Sequence, residues 1–315
     1  MQRRIWIVLM GVAVMTGCAT TYHAGAPKGA IDVIAHRGAS AYAPENTLAS
    51  FKRAKELQAD WFELDCTLTK DGQIIVIHDD KVDRVTNAKG AVADMTLAEL
   101  KKLDAGTWKD AKFAGEKLPT LAEALDFAKA ARIGVYVEIK ISADDSALIR
   151  DIMKMTEGRH TPLDPKTRRQ MMLMIRASRT RNLELTEKVI ELVRKRRMAS
   201  QVVIQSFSPI VCVIALSEAP RFRTEMLASK DKDNPERWPM YLRWMELLAP
   251  PGFNTDPESF EESLLKQCHA EGRTMAIWTL DEEADMRHFA ELGADAIITN
   301  KPDLCLKLLK EMRKH

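Results

Sequence analysis

From residue 31 onward the chain alternates short apolar, β-branched runs with segments whose apolar residues recur at helical spacing. That alternation calls for a parallel sheet covered by helices. The runs are Ile31–His36, Trp61–Cys66, Ile74–His78, Gly134–Lys140, Gln201–Phe207, Phe222–Ala228, Thr274–Thr279 and Asp295–Thr299. Met171–Ile175 is equally apolar and competes with the fifth and sixth. A chain of 315 residues, 46% of them hydrophobic, could fill one large core or two smaller ones. Eight strands favour the first, because eight close an α/β TIM (β/α)8 barrel.

Helix starts are well marked. Thr96-Leu97-Ala98-Glu99 and Thr120-Leu121-Ala122-Glu123 both fit a capping box, and Leu48, Phe51, Ala54 and Leu57 give the first covering helix an apolar face. Two stretches exceed ordinary loop length. Residues 80–118, between the third strand and its helix, read as an inserted small subdomain. Residues 158–200 carry Pro162, Pro165 and the basic cluster Arg194 to Arg197, which suits a solvated helix C-terminus.

Polarity gathers at one end of the strands. Side chains alternate faces with period two, so Glu63 and Asp65 point together, opposite Phe62, Leu64 and Cys66. Glu138 and Lys140 share a face, as do Ile34 and His36, Val76 and His78, and Gln205 and Phe207. With the apolar partners against the helices, the ionisable ones converge in the C-terminal mouth of the barrel. Three carboxylates buried together repel one another and raise each other's pKa. A hard divalent cation, Ca²⁺ or Mg²⁺, relieves that strain with the oxygen ligands it prefers, which makes Glu63, Asp65 and Glu138 the metal candidates.

His36-Arg37-Gly38, Glu45-Asn46-Thr47, Glu63-x-Asp65, His78-Asp79, Glu138-x-Lys140, Trp278 and Thr299-Asn300-Lys301-Pro302-Asp303 occur in that order. Together they resemble the signature of glycerophosphodiester phosphodiesterases, over about residues 31 to 305. The resemblance implies hydrolysis of a glycerophosphodiester to sn-glycerol 3-phosphate and an alcohol. One of His36 and His78 would be general base and the other would protonate the leaving alkoxide. The base would activate either water or the neighbouring glycerol hydroxyl. Arg37 and Lys140 would hold the phosphate, while Asn46 would position Glu63 or the metal shell, with Gln205 beside it. Trp278 would pack on the glycerol or line the barrel. Two rivals share this centre: a lysophospholipase D acting on lyso-lipids, and a non-catalytic phosphodiester-binding lipoprotein, which would have no need of two histidines.

The amino terminus reads as a targeting segment. Arg3 and Arg4 precede an uncharged apolar run, Ile5 to Met15, too short to span a bilayer and apt for a signal peptide. Met15-Thr16-Gly17-Cys18 resembles the lipobox of bacterial lipoproteins. The expected division is a signal peptide at 1–17, a lipid on Cys18, a tether at 18–30 and the barrel domain at 31–315. An exported protein is expected, anchored to a bacterial membrane, and Ala19 favours an outer membrane facing the periplasm. Without residues 1–17 the charges of 47 basic and 45 acidic residues balance, which argues against a nucleic-acid partner. Cys66, Cys212, Cys268 and Cys305 form no CxxC pair and are expected as buried free thiols.

Overall fold

Eight parallel strands close on themselves in the computed structural model, which describes residues 30–159 and 162–313. The expected signal peptide, Cys18 and nearly all of the tether lie outside the described residues. Strand β1 (Asp32–Ala35) pairs with β2 (Trp61–Leu68) on one side and β9 (Ala296–Thr299) on the other, which shuts the barrel. Between them run β4 (Gly134–Ile139), β5 (Val202–Ser206), β6 (Arg223–Ala228), β7 (Gly252–Thr255) and β8 (Ala276–Ile277). The TIM barrel expected from the sequence is therefore present.

Two strand assignments need correction. Ile74–His78 is not a barrel stave: β3 (Ile74–Val76) folds back antiparallel on the end of β2, pairing Cys66 with Val76 and Leu68 with Ile74. The tight turn before it has Gly72 at φ +68°, a conformation glycine adopts without a Cβ clash. The missing stave is β7, whose Gly-Phe-Asn-Thr sequence has a single apolar side chain and so gave no strand signal. Its inward positions are Gly252 and Asn254. A Cβ on Gly252 would stand 2.7 Å from the side chain of buried Glu225, which also accepts a 2.7 Å hydrogen bond from Asn254 Nδ2.

Eleven helices are described around the staves. They are α1 (Leu48–Glu56), α2 (Leu97–Leu100), α3 (Leu121–Ala131), α4 (Ser146–Met155), α5 (Pro165–Ser178) and α6 (Arg181–Arg196), then α7 (Pro209–Glu218), α8 (Arg237–Leu248), α9 (Glu262–Ala270), α10 (Glu283–Leu292) and α11 (Pro302–Met312). Both sequence-marked capping boxes form, at Thr96 and Thr120. Met171–Ile175 lies inside α5, with Met171, Met172 and Ile175 buried, so that run is helical. The Arg194–Arg197 cluster closes α6, whose last turn is basic.

The main core lies between staves and helices. There Phe51 stacks on Phe62 at 4.3 Å, among Leu64, Cys66, Leu121 and Val137. Inside the barrel, Ile34, Trp61, Tyr136, Val203, Ala276 and Ile298 plug the lower half. The segment between β3 and α3 has its own small core of Ile77, Val82, Val85, Val92, Leu100 and Leu118. Lys109 ties this insertion to the β1–α1 loop by donating to the Ser40 carbonyl at 2.8 Å. Cys66, Cys212, Cys268 and Cys305 are buried free thiols, as the sequence suggested.

Candidate active site

The polar ends of the staves meet above the apolar plug. Asp65 on β2 lies beside Glu138 on β4, and Glu138 beside Gln205 on β5, as direct register partners. Glu63, Asp65 and Glu138 are all buried, and each offers a carboxylate oxygen within 4.8 Å of the others. The opposite-face residues Phe62, Leu64 and Cys66 go to the helix side, as period two requires.

Cations surround this cluster. Lys140 Nζ sits 2.9 Å from Glu138 Oε1 and 3.7 Å from Asp65 Oδ1. Arg37 follows β1 with φ +54° and donates its backbone N–H to Glu63 Oε2 at 2.9 Å, while its Nε lies 3.3 Å from Asp65 Oδ2. Gly38, at φ +77°, allows the tight passage, since any Cβ there would overlap Ser50. Asn46, also in the left-handed region, clasps Asp65 from both sides. Its Nδ2 donates to Oδ2 at 2.8 Å and its Oδ1 accepts the Asp65 N–H at 3.1 Å. These two bonds tie Asn46 to Asp65, one of the three carboxylates of the cluster.

His36 is half-buried just past the end of β1, and its Nδ1 is 2.8 Å from Asn300 Oδ1. That amide oxygen can only accept, so Nδ1 carries the proton and Nε2 presents a lone pair. Burial, and then Arg37, lower the His36 pKa to about 4, keeping the ring neutral. His78 arrives by the unexpected route of the β3 hairpin. The Ile77 N–H donates to the Asp65 carbonyl at 3.0 Å and brings the chain back to the level of the carboxylates. His78 Nδ1 pairs with Asp79 Oδ1 at 2.7 Å.

Electrostatics separate the three acids. Burial opposes ionisation of Asp65, yet Lys140 and Arg37 overcome it and hold that carboxyl below the usual aspartate range. Burial, then Asp65 and Glu138, push Glu63 well above the glutamate range. Glu138 rises to about 7 through burial and Asp65. Two nearby cations therefore do not neutralise three buried carboxylates. The Gln205 Oε1, buried beside Glu138, has no hydrogen-bond partner and is one more oxygen without a donor. A hard divalent cation fits this donor set, because it would satisfy the surplus negative charge with oxygen ligands alone.

Trp278 stands edge-on to Phe207 at 5.4 Å. Phe207 in turn lines a groove of about 410 Å³ with Ile149, Pro209, Met240, Tyr241 and the 48% exposed Ile141. Sequence reasoning gave no part to Arg84, on the insertion, which bridges Asp79 and Glu45. Its only sequence cue was position, five residues beyond Asp79.

A model of the glycerophosphoryl diester phosphodiesterase family matches residues 36–161 and 150–304. The chain is 37% identical over 281 residues to a glycerophosphodiester phosphodiesterase of Caldanaerobacter subterraneus subsp. tengcongensis, covering 89% of this chain and 98% of that one. It is 34% identical over 286 residues to a glycerophosphodiester phosphodiesterase of Bacillus subtilis, covering 88% and 86%. Among solved structures, a glycerophosphodiester phosphodiesterase of Agrobacterium tumefaciens superposes with a TM-score of 0.64 at 26% identity, covering 88% of this chain and all of that one. An Oleispira antarctica phosphodiesterase, solved in complex with the product sn-glycerol-3-phosphate, has the same fold, with a TM-score of 0.68 at 24% identity over 89% of this chain and 96% of that one.

Proposed function

This chain belongs to the glycerophosphoryl diester phosphodiesterase family and is a phosphodiesterase of glycerophosphodiesters, and from that premise we propose a division of labour among its residues. Glu63, Asp65 and Glu138 hold a divalent cation, Ca²⁺ or Mg²⁺, with the Gln205 amide oxygen beside it. That cation, when bound, supplies charge neutralisation and polarisation of the phosphodiester. Arg37 and Lys140 bind phosphate oxygens, Arg37 through its planar fork. His36, neutral and with Nε2 free, is the general base. It takes a proton from water or from the adjacent glycerol hydroxyl. His78 is the general acid that returns a proton to the leaving alkoxide, with Asp79 orienting its ring. Trp278 and Phe207 wall the carbon side of the substrate.

The observation that carries the proposal is the triad of buried carboxylates flanked by Arg37 and Lys140 and by two histidines held through their Nδ1 atoms. Purified protein is assayed on glycerophosphocholine, with chelator and with each cation restored. Activity should vanish on chelation and return with Ca²⁺ or Mg²⁺. His36→Ala and His78→Ala should each lower kcat by ~10²-fold or more. The double variant should fall far short of the product of those losses, because the pair acts as a unit. Near-parental turnover by both histidine variants would make these rings structural and favour a phosphodiester-binding role.

A second reading draws on the apolar groove beside Phe207, which could take an acyl-bearing leaving group as a lysophospholipase D does. Faster turnover of lysophosphatidylcholine than of glycerophosphocholine in the same assay would select it. The proposal includes location: export, and a lipid on Cys18.

A further inference from the structure

Arg84 sits on the insertion, apart from the carboxylate cluster, and its hydrogen bonds run in two directions. Toward Asp79, Nε donates to Oδ2 at 2.7 Å and Nη2 to Oδ1 at 3.0 Å. Toward Glu45, Nη1 donates to Oε2 at 2.7 Å and Nη2 to Oε1 at 2.8 Å. Each carboxylate passes the contact on. Asp79 Oδ1 accepts from the His78 ring at 2.7 Å, and Glu45 Oε1 accepts from Arg37 Nη1 at 2.9 Å. Arg37 then reaches Asp65. The sequence His78, Asp79, Arg84, Glu45, Arg37, Asp65 is thus one line of contacts in which N–H donors and carboxylates alternate. Two other side chains of the insertion reach the β1–α1 segment, Lys109 at the Ser40 carbonyl and Glu116 at the Ala49 N–H, but neither bonds to His78 or Arg37.

We propose that Arg84 is a positioning residue that fixes His78 and Arg37 in register with each other, by gripping Asp79 and Glu45 at once. The role rests on His78 and Arg37 serving proton transfer and phosphate binding. Four of its five N–H groups are taken up by these two carboxylates, which is the pattern of a side chain that holds its neighbours in place. It is not chiefly a source of stability. Its side chain is 45% exposed, and exposed ion pairs contribute little to folding. What the double fork supplies is geometry. Two bidentate grips on one rigid plane set the separation and tilt of both carboxylates, and a lysine ammonium cannot do that. Without Arg84, Asp79 is a surface carboxylate free to rotate away from the imidazole, and Glu45 can follow Arg37 instead of restraining it.

The experiment compares the full chain with Arg84→Ala and Arg84→Lys, each also in a His78→Ala background. Melting temperatures of the four variants, each against its own parent background, should hardly move. In the parent background Arg84→Ala should lower kcat by about tenfold or more, the scale on which residues that orient an active ligand act, and KM should rise with it. In the His78→Ala background the same change should cost kcat less than about twofold, because an effect exerted through His78 has nothing left to act on. The rise in KM, exerted through Arg37, should persist. Methylguanidinium in the assay should restore part of the Arg84→Ala activity, and Arg84→Lys should remain impaired. Unchanged kcat, an equal kcat loss in both backgrounds, or full activity of Arg84→Lys would each overturn the assignment. A readout free of turnover keeps this separate from the proposed reaction. The downfield proton of the His78 ring, identified by its loss in His78→Ala, should be sharp in the parent and lost in Arg84→Ala. A parent inactive on glycerophosphodiesters that shows this loss sinks the reaction assignment alone, whereas a resonance indifferent to Arg84 sinks the positioning role.

Discussion

At the scale of single residues, the mouth of the barrel is a competition between burial and charge. Asp65 is kept ionised by Lys140 and Arg37, while Glu138 holds its proton to about 7 and Glu63 is raised as well. A cation entering the site must therefore displace protons, and its affinity must follow pH. The sign is fixed by the direction of the shifts: raised carboxyl pKa values mean weaker binding in acid and tighter binding as Glu138 and Glu63 ionise. Calorimetric titration of the metal-free protein should show the Kd for Ca²⁺ or Mg²⁺ falling between about pH 5 and 7, by up to about tenfold per pH unit for each proton displaced. A flat profile would mean that these acids are not the ligands. Glu63, Asp65, Glu138 and Lys140 were legible in the sequence because side-chain alternation along a strand is rigid arithmetic. The Arg84 bridge was not, because it joins an insertion to a loop that meet only in three dimensions, and no periodicity records such a meeting.

At the scale of elements, the staves that sequence reasoning found each carry two or more apolar side chains, as Phe62 and Leu64 do on β2 and Ile297 and Ile298 on β9. It missed β7 because that strand has no apolar side chain on its inward face, where Gly252 and Asn254 accommodate Glu225. Glu225 is fully buried and pinned by Arg223 at 2.5 Å as well as by Asn254, so it cannot simply swing aside. Gly252→Ala should then destabilise the protein by about 1–3 kcal/mol, the usual cost of forcing an atom into a filled interior. Thermal melting would register it as a clear fall in Tm, and an unchanged Tm would show the Glu225 network to be loosely packed. The opposite error, counting β3 as a stave, arose because Ile-Ile-Val is equally suited to parallel and antiparallel pairing. The turn at Asp71-Gly72 was the available cue, being the kind of dipeptide that reverses a chain into a hairpin. That hairpin nevertheless delivers His78 to the level of Asp65, so the site assembles by a route the sequence did not disclose.

At the scale of the whole molecule, the outstanding question is where the barrel works. Among the described residues no helix is long and apolar enough to cross a membrane. Replacing Cys18 with Ala should release the protein from the membrane fraction, measured by fractionation and immunoblot. A variant that sediments with membranes as fully as the parent would remove the lipid anchor from the proposal. The fold adds a directional consequence. Strand β1 enters at Asp32, at the floor of the barrel, and runs upward to His36 at the rim. A lipid attached upstream of β1 would therefore be joined to the barrel at its floor, the end away from the catalytic opening. A barrel joined to its anchor at that end leaves its mouth unobstructed by the attachment, open to solutes drifting through the surrounding aqueous compartment.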